Sequence, residues 1–298
     1  MKRILIAGGT GFVGKRLAPY LTERGYKLAL LTRREMPAGE KAAYYRWDIE
    51  KGFIDESAFQ DVDTIINLTG ADIGAKRWTK KRKREIIDSR IKSIELLYKY
   101  VSKNRFPVKA FISSSAAGYY GAVTSDVIFD EESPKGNGFL ADLCWQWENA
   151  AKQFEKSGAK VIILRKGAIL GKEGTFYQRI APFAKLGINP AAGSGRQYIP
   201  WIDIRDLVRL YDFLLKENHL QGVFNAVSSQ HTAMNELAQA FLNSFGKRSF
   251  LPNAPAFAVW LLFGEMSSMV LKGSRLSNEK LKKNGFNFMY DSIEKSLK

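Results

Sequence analysis

The residues of this chain whose types and spacing best suit chemistry form a glycine-rich turn near the amino terminus. An apolar run, Ile4 to Ala7, leads directly into the turn Gly8–Gly14, whose first, fourth and seventh positions are glycine. A pyrophosphate can reach the free N–H groups at the start of a helix only where side chains leave room, and glycine provides that room. We predict a dinucleotide site whose contacts in this turn are Gly8, Thr10, Gly11, Phe12, Val13 and Gly14.

The residues at the end of the second predicted strand indicate which nicotinamide cofactor the turn would hold. An acidic side chain there accepts a hydrogen bond from a ribose 2′-hydroxyl, whereas a 2′-phosphate needs cations. The chain has Thr32, Arg33 and Arg34 at this place and no acid. One charge-assisted hydrogen bond contributes about 1.5–3 kcal/mol, or about tenfold in affinity, so we predict NADP(H). The alternative is that both arginines are only exposed surface residues.

The pattern of apolar residues predicts the elements that position these segments. Short β-branched runs alternate with amphipathic stretches up to about Ala168, which is typical of a parallel sheet with helical crossovers. The predicted strands are Arg3–Ala7, Lys27–Leu31, Ala43–Trp47, Thr64–Leu68, Lys109–Ser113 and Lys160–Leu164, and the predicted helices are Phe12–Arg24, Lys83–Lys103 and Leu140–Ser157. Residues at the ends of two of these strands and directly after them are predicted to lie beside the dinucleotide, namely Asp48, Leu68, Thr69 and Gly70.

The predicted fold class is α/β, a Rossmann-type doubly wound parallel sheet with a smaller C-terminal α+β substrate lobe. The strict alternation fades beyond Gly171, so we predict an NADP-binding domain over residues 1–170 and the smaller lobe over residues 171–298. A strand at Val223–Asn225 could return to the main sheet. The tail helix Phe257–Leu271 is apolar on more than one face, so we expect it to be buried against the main domain or a partner chain.

The composition excludes several classes of protein. Among 298 residues there are one cysteine and two histidines, so the chain forms no internal disulfide and we expect no metal site. No stretch resembles a signal peptide or is apolar enough to span a membrane, so we expect a cytoplasmic protein without a membrane partner. The net charge is +16 and includes the run Lys80–Arg84, which we interpret as a solvated helix start. Binding of nucleic acid is the less favoured alternative.

Further phrases extend the pattern over nearly the whole chain. They are Asn67–Ala71, Ser113–Gly121, Phe139–Glu148, Arg165–Gly167, Trp201–Asp206 and, in the tail, Pro255–Phe257 with Gly264–Met266. On these phrases the chain resembles the extended short-chain dehydrogenase/reductase superfamily, in its NAD(P)-dependent epimerase/dehydratase branch. Within that branch it is similar to an atypical subgroup with a C-terminal domain of unknown function. In ordinary members a serine polarises the substrate, a tyrosine transfers the proton, and a lysine one helical turn later lowers the pKa of the tyrosine.

The resemblance implies Ser115 as the catalytic serine, with Ser114 as a near alternative that would contact substrate. It also reveals a departure, because Leu140 and Cys144 stand at the places of the tyrosine and the lysine. Arg90 stands where an asparagine usually supports the lysine, beside the cofactor. A missing general acid lowers a rate by about 10²–10⁴-fold, so either another group moves the proton or the protein is no conventional reductase.

The predicted replacement for the missing proton donor is Tyr119 or Tyr120, and Tyr177 is a third candidate. Arg90 or Lys166 would supply the positive field that lowers the pKa of a phenol. The alternative is that the rings of Tyr119 and Tyr120 only pack the loop after a strand.

These residues lead to two hypotheses about function. The favoured one is an NADP(H)-dependent oxidoreductase or epimerase that acts on a small carbonyl or sugar-like substrate, held in part by Tyr177 and Arg196. The rival is a non-catalytic sensor or structural protein that binds NADP(H) without turnover. A homodimer is a further prediction, because relatives dimerise through helices that match Lys83–Lys103 and Leu140–Ser157.

Overall fold

A computed structural model describes residues 3–34 and 43–298 of the chain. Its strands are β1 (Arg3–Ala7), β2 (Lys27–Thr32), β3 (Ala43–Asp48), β4 (Phe53–Ile54), β5 (Val62–Asn67), β6 (Ala110–Ala116), β7 (Ile128–Phe129), β8 (Lys160–Lys166), β9 (Ala168–Leu170), β10 (Trp201–Asp203), β11 (Gly222–Ala226) and β12 (Arg275–Leu276). Its helices are α1 (Phe12–Glu23), α2 (Lys80–Asn104), α3 (Phe139–Lys152), α4 (Thr175–Lys185), α5 (Ile204–Lys216), α6 (Met234–Ser244), α7 (Ala256–Phe263), α8 (Ser268–Leu271), α9 (Glu279–Lys283) and α10 (Ile293–Leu297).

The central sheet has eight strands in the order β11-β8-β6-β5-β1-β2-β3-β4. Adjacent strands of this sheet are parallel, except that β3 and β4 are antiparallel. Helices α1 and α5 cover one face and helices α2 and α3 cover the other. A sheet covered on both faces needs continuous apolar strands, and the run Ile4 to Ala7 in β1 is fully buried. The predicted doubly wound Rossmann-type fold is therefore confirmed.

The strand order reverses at β1, which creates a crevice. From β1 the sheet continues to β2 and β3 on one side and to β5 and β6 on the other. Connections leave the two sides in opposite directions, so a crevice opens at the carboxyl ends of β1 and β5. Gly8 and Leu68 follow these two strands and lie against each other in this crevice.

The predicted elements are present with shifted ends. Helix α2 begins at Lys80 rather than at Lys83, because the Thr79 hydroxyl accepts a hydrogen bond from the Arg82 N–H at 3.1 Å and caps the helix. The third predicted helix is α-helical only to Lys152 and continues as a 3-10 turn. Such end effects depend on local hydrogen bonds that the apolar pattern does not contain.

The smaller lobe is joined to the main sheet. Strand β11 pairs in parallel with β8, so the sheet receives a strand from beyond residue 170, and the boundary at 170 itself stays a prediction. Short sheets pair β9 with β10 and β7 with β12. Helices α4, α6 and α10 share a second core of buried apolar residues.

The apolar tail does not form one buried helix. Helix α7 ends at Phe263, where Gly264 adopts a positive φ of 58°, and a 3-10 turn separates it from α8. The side chains of Phe257 and Leu262 are exposed. The main domain therefore does not cover α7, because apolar composition indicates a need for cover but not its source, and cover by a partner chain stays a prediction. Across residues 3–34 and 43–298, no helix has the length and apolar character needed to cross a bilayer.

Candidate cofactor and active site

The glycine turn has the close backbone contacts that its sequence predicts. Gly8 has a φ of +83°, and a Cβ there would lie 2.9 Å from the carbonyl carbon of Leu68. A Cβ on Gly14 would lie 2.4 Å from the carbonyl oxygen of Gly9. Helix α1 begins after Gly11, with no side-chain cap and no acid in its first turn. Its free N–H groups and positive dipole end therefore face the crevice, an arrangement that suits a pyrophosphate.

The other predicted residues of the turn occupy different surroundings. Thr10 is exposed at the crevice. Val13 is partly buried against the core beneath α1. The ring of Phe12 lies against the segment after β9, where it would meet a Cβ on Gly171 at 3.0 Å. Phe12 therefore packs against the residues that follow β9.

The arginines predicted to select the cofactor lie at the end of β2. The Thr32 hydroxyl accepts a hydrogen bond from the Arg34 N–H at 3.1 Å and tightens the turn that carries both arginines. Arg33 and Arg34 are exposed, so their guanidinium groups are accessible to an anion. Asp48, predicted to lie at the adenine, accepts a hydrogen bond from the Lys51 N–H at 3.1 Å at the end of β3.

The loop after β5 is held by a buried amide. Asn67 Oδ1 accepts hydrogen bonds from the Thr69 N–H at 3.2 Å and from the Thr69 hydroxyl at 2.6 Å. The same hydroxyl lies 2.6 Å from Ser93 Oγ on α2. Within residues 3–34 and 43–298, the buried Asn67 amide nitrogen has no hydrogen bond partner. The loop is thus rigid and presents Leu68, Thr69 and Gly70 at the crevice.

Arg90 is a buried cation beside this loop. Its guanidinium donates to the carbonyl oxygens of Ile86 at 3.0 Å and Ala71 at 3.1 Å, while its Nε is buried and has no hydrogen bond partner among the residues that the structure describes. A Cβ on Gly70 would lie 3.0 Å from Arg90 Cζ. Burial lowers the pKa of Arg90 to about 10. Both of these acceptors are uncharged, and among the described residues Arg90 forms no ion pair with an acid, so it adds positive charge beside the loop.

Ser115 lies inside a buried ion-pair network. It is 1% exposed, and its hydroxyl donates to Glu148 Oε1 at 2.7 Å. Arg165 binds the same carboxylate through two hydrogen bonds of 2.9 Å. Burial alone would lower the pKa of Arg165, but the hydrogen bonds to Glu148 raise it above its ordinary value. The Ser115 hydroxyl would have to leave this network before it could polarise a substrate.

Tyr119 and Tyr120 surround the same arginine. The Tyr120 hydroxyl donates to Asn225 Oδ1 at 2.7 Å and accepts from Arg165 at 2.9 Å. Burial raises the pKa of Tyr120 to about 12 even though Arg165 acts in the opposite direction. The Arg165 guanidinium stacks on the Tyr119 ring, 3.4 Å from its centroid. These contacts favour a packing role for both rings over proton transfer.

The opposite face of strands β6 and β8 carries a second pair of polar side chains, Ser114 and Lys166. Side chains alternate along a strand, so Ser114 and Lys166 point away from the face that holds Ser115 and Arg165. Lys166 Nζ donates to Ser114 Oγ at 2.7 Å. Lys166 is partly exposed as a whole, but burial of its ammonium group, together with Arg90, lowers its pKa to about 7. The pair lies near the carboxyl ends of β6 and β8, and Ser114 is 2% exposed.

The residues at the family positions of tyrosine and lysine are packed into the core. Cys144 is 1% exposed, and its thiol lies 3.6 Å from the carbonyl oxygen of Ala116. Burial raises the pKa of Cys144 to about 12, so the thiol stays protonated. Leu140 lies against Gly118, where a Cβ would be 3.0 Å away. Neither residue can transfer a proton at neutral pH.

The two predicted substrate residues of the smaller lobe lie elsewhere. Tyr177 lines an open cleft of about 470 Å³ together with Lys172 and Lys185. Arg196 is exposed, and its N–H donates to Ser194 Oγ at 3.2 Å. In the described structure no hydrogen bond or ion pair joins Tyr177 or Arg196 to the Ser114 and Lys166 pair, so their substrate roles stay predictions.

Sequence reasoning gave too little weight to three residues of the site. Lys166 was assigned only an electrostatic role, and Glu148 and Arg165 were assigned none. A signal was present, because period-two alternation places Ser114 opposite Ser115 and Lys166 opposite Arg165. The burial of Glu148 gave no such signal, since a carboxylate on a helix is usually exposed.

Comparison with known proteins assigns this arrangement to a family. The profile of the NAD dependent epimerase/dehydratase family matches residues 4–226, and that of a domain of unknown function, DUF1731, matches residues 254–298. The chain therefore belongs to the NAD dependent epimerase/dehydratase family.

Relatives match it over almost their full length. An epimerase family protein of Mycobacterium bovis, Mb2239, is 34% identical over 99% of this chain and 96% of its own. Epimerase family protein SDR39U1 of Mus musculus is 33% identical over 99% of this chain and 98% of its own. The crystal structure of human SDR39U1 with NADPH matches with a TM-score of 0.88 at 30% identity, over 99% of this chain and 97% of that one.

Proposed function

We propose that the chain is an NADP(H)-binding epimerase or oxidoreductase that acts on a small carbonyl or sugar-like substrate. The observation that carries the proposal is the crevice. There the start of α1, which has no side-chain cap among the described residues, follows a glycine turn, and two exposed arginines follow β2. The NADPH in the crystal structure of human SDR39U1 supports NADP(H) over NAD(H). The cytoplasmic location and the homodimer expected from the sequence stay predictions.

Separate segments would hold the parts of the cofactor. The N–H groups that follow Gly11 would bind the pyrophosphate, and Arg33 with Arg34 would bind a 2′-phosphate. The loop at Thr69 and the buried charge of Arg90 would line the path toward Ser114. When bound, the cofactor supplies or accepts a hydride.

Hydride transfer at carbon needs a matched proton transfer at oxygen, and the Ser114 and Lys166 pair could provide it. Ser114 Oγ accepts a hydrogen bond from the Lys166 ammonium, so its own hydroxyl proton would be the one that passes to a substrate oxygen. Lys166 would then return a proton to Ser114. Because the pKa of Lys166 is about 7, both protonation states are populated at neutral pH. This pair would replace the missing tyrosine and lysine.

A non-catalytic protein that senses or stores NADP(H) is the second candidate. Its support is the engagement of Ser115 by Glu148 and the apolar packing of Leu140 and Cys144. Both candidates require the same cofactor site, so binding and turnover have to be measured separately.

Calorimetric titration with NADPH and NADH tests the cofactor. We expect NADPH to bind at least about tenfold more tightly, and Arg33→Ala/Arg34→Ala to lose this preference. Arg248→Ala removes an exposed arginine elsewhere and should have no effect. Flat titrations with every nicotinamide nucleotide would refute the proposal. Stopped-flow mixing of the NADPH complex with a panel of carbonyl compounds then decides turnover, since tight binding without oxidation favours the sensor.

A further inference from the structure

Helix α7 presents an apolar surface to solvent. Phe257 is 74% exposed, Trp260 63%, and Leu261 and Leu262 67% each, while Val259 is the buried residue of the helix. Scattered single apolar residues are normal on a protein surface, but a contiguous group of this size marks an interaction site. We call these four exposed side chains the α7 surface.

A second apolar segment lies directly before α7. Phe250 is 97% exposed and Leu251 is 55% exposed. The Asn189 side-chain amide donates to the Leu251 carbonyl oxygen at 3.1 Å, which ties this segment to the end of α4. There Phe183 and Leu186 are also exposed. The apolar character therefore continues from the end of α4 toward the α7 surface.

Basic residues border the other end of α7. Lys83 at the start of α2 forms a 2.6 Å ion pair with Glu265, which follows α7 directly. Arg77 reaches the same turn, because a Cβ on Gly264 would lie 3.0 Å from its guanidinium. The start of α2 thus lies beside the end of α7. Within the run Lys80–Arg84, three cations are paired with the acids Glu85, Glu265 and Asp88, whereas Lys80 and Lys81 are exposed and have no acidic partner among the described residues. The net charge of the chain is +16.

We propose that the α7 surface and the adjoining run Lys80–Arg84 dock the protein on the surface of a bilayer that contains anionic lipids. Tryptophan, phenylalanine and leucine insert into the boundary between headgroups and acyl chains, and lysine and arginine are attracted to the negative surface. The protein would lie on the membrane and not span it, which differs from the expectation from the sequence of a protein without a membrane partner.

Charge complementarity favours this occupant over a second copy of the chain. A dimer through α7 would bring together two chains that each carry a net charge of +16. Like charges brought together in this way oppose association. An anionic surface meets both the apolar and the basic part of the patch.

Vesicle flotation of the full chain tests the proposal. Vesicles of phosphatidylcholine and phosphatidylglycerol in equal parts should carry the protein upward at low salt, and vesicles of phosphatidylcholine alone should carry much less. Leu261→Asp/Leu262→Asp should weaken partitioning by at least about tenfold for each leucine. Lys80→Glu/Lys81→Glu should weaken it by at least about 25-fold and reduce its sensitivity to salt.

Two matched variants control for apolar loss and for charge. Val127→Asp changes an exposed apolar side chain away from α7, and Lys99→Glu/Lys103→Glu reverses two charges farther along α2. Both should float as the unchanged protein does, and all variants should keep the wild-type melting temperature because the altered side chains are exposed. Quenching by lipids that carry a nitroxide in the acyl chain should fall in Trp260→Phe.

Two results would overturn the proposal. One is flotation that is equal for all variants or absent for the unchanged protein. The other is a dimer in sedimentation velocity that Leu261→Asp/Leu262→Asp converts to monomer without any vesicle binding, which would assign α7 to contact between copies. Neither result bears on cofactor binding at the crevice.

Discussion

At the scale of residues, adjacent serines on one strand take different roles because a strand turns neighbouring side chains to opposite faces. The Ser115 hydroxyl donates a hydrogen bond to the buried carboxylate of Glu148, whereas the Ser114 hydroxyl accepts one from Lys166. The resemblance to ordinary family members identified the first serine. Ser114 can be distinguished from Ser115 only by the hydrogen bonds of the folded chain, because these depend on which side chains lie on each face of the sheet.

Replacing Lys166 should remove both activity and its pH dependence. If the Lys166 ammonium returns the proton to Ser114 during carbonyl reduction, the rate needs the protonated form, which is present below about pH 7 and lost above it. Lys166→Met should slow reduction by about 10²–10⁴-fold and abolish the inflection near neutral pH. Lys152→Met, at an exposed site on α3, should leave the profile unchanged.

Trace acetylation of lysines across a pH series, read by mass spectrometry, measures the Lys166 pKa without any substrate. A pKa of Lys166 near that of the exposed lysines, or an inflection that survives in Lys166→Met, would remove this residue from the proposed mechanism.

Glu148→Gln should strongly destabilise the protein. The substitution leaves Arg165 as a buried cation without a counter-charge, which typically costs about 3–5 kcal/mol. Urea denaturation measures the loss in the free energy of unfolding. Glu155→Gln, in the exposed turn after α3, should change this free energy by less than about 0.5 kcal/mol. A loss for Glu148→Gln as small as that for Glu155→Gln would contradict a buried ion pair between Glu148 and Arg165.

At the scale of elements, the sequence was most informative where local chemistry alone decides the structure. The glycine turn, the strand at Arg3–Ala7 and helix α1 follow from residue types within a few positions of each other. Helix α7 shows the opposite case. Its residues predict a helix and a need for cover, but its end at Gly264 and its exposure depend on which distant elements contact it.

Gly14→Ala should displace α1 from the sheet. The new Cβ would lie 2.4 Å from the Gly9 carbonyl oxygen, a backbone atom that cannot move without disturbing the turn. Overpacking of this kind costs about 1–3 kcal/mol, and the altered turn should also weaken NADPH binding. Thermal unfolding and calorimetric titration measure the two effects. Lys15→Ala, at the exposed neighbouring position, should preserve both thermal stability and NADPH binding. Normal NADPH binding by Gly14→Ala would show that the cofactor site does not depend on the close approach of α1 to Gly9.

At the scale of the whole molecule, the carboxyl-terminal segment is tied into the main core. Strand β12 pairs with β7, and the Asn278 amide donates to the Val227 carbonyl oxygen at 2.9 Å. Leu281 and Phe286 pack among the residues of α1 and α5. The sequence predicted a smaller lobe but not these contacts, because they join positions far apart in the chain that no local pattern relates.

Asp206 is the residue on which this attachment most depends. Its buried carboxylate accepts hydrogen bonds from the N–H groups of Met289 at 3.1 Å and Tyr290 at 2.7 Å, and Arg209 lies 2.5 Å away. Asp206→Ala removes the charged acceptor of these partly buried donors, and a hydrogen bond to a charged group typically contributes about 1.5–3 kcal/mol. We expect a lower melting temperature and faster proteolysis within residues 284–298.

A chain that ends at residue 253 should fail to fold, because it loses the apolar residues that α9 and α10 add to two cores. For Asp206→Ala, the matched control is Asp126→Ala, which removes an exposed carboxylate and should melt as the unchanged protein does. A truncated chain that is soluble, melts cooperatively and still binds NADPH would show that residues 254–298 form an independent unit. The contacts of Asp206 would then join two separately stable parts, and Asp206→Ala should alter proteolysis without lowering the melting temperature of the main sheet.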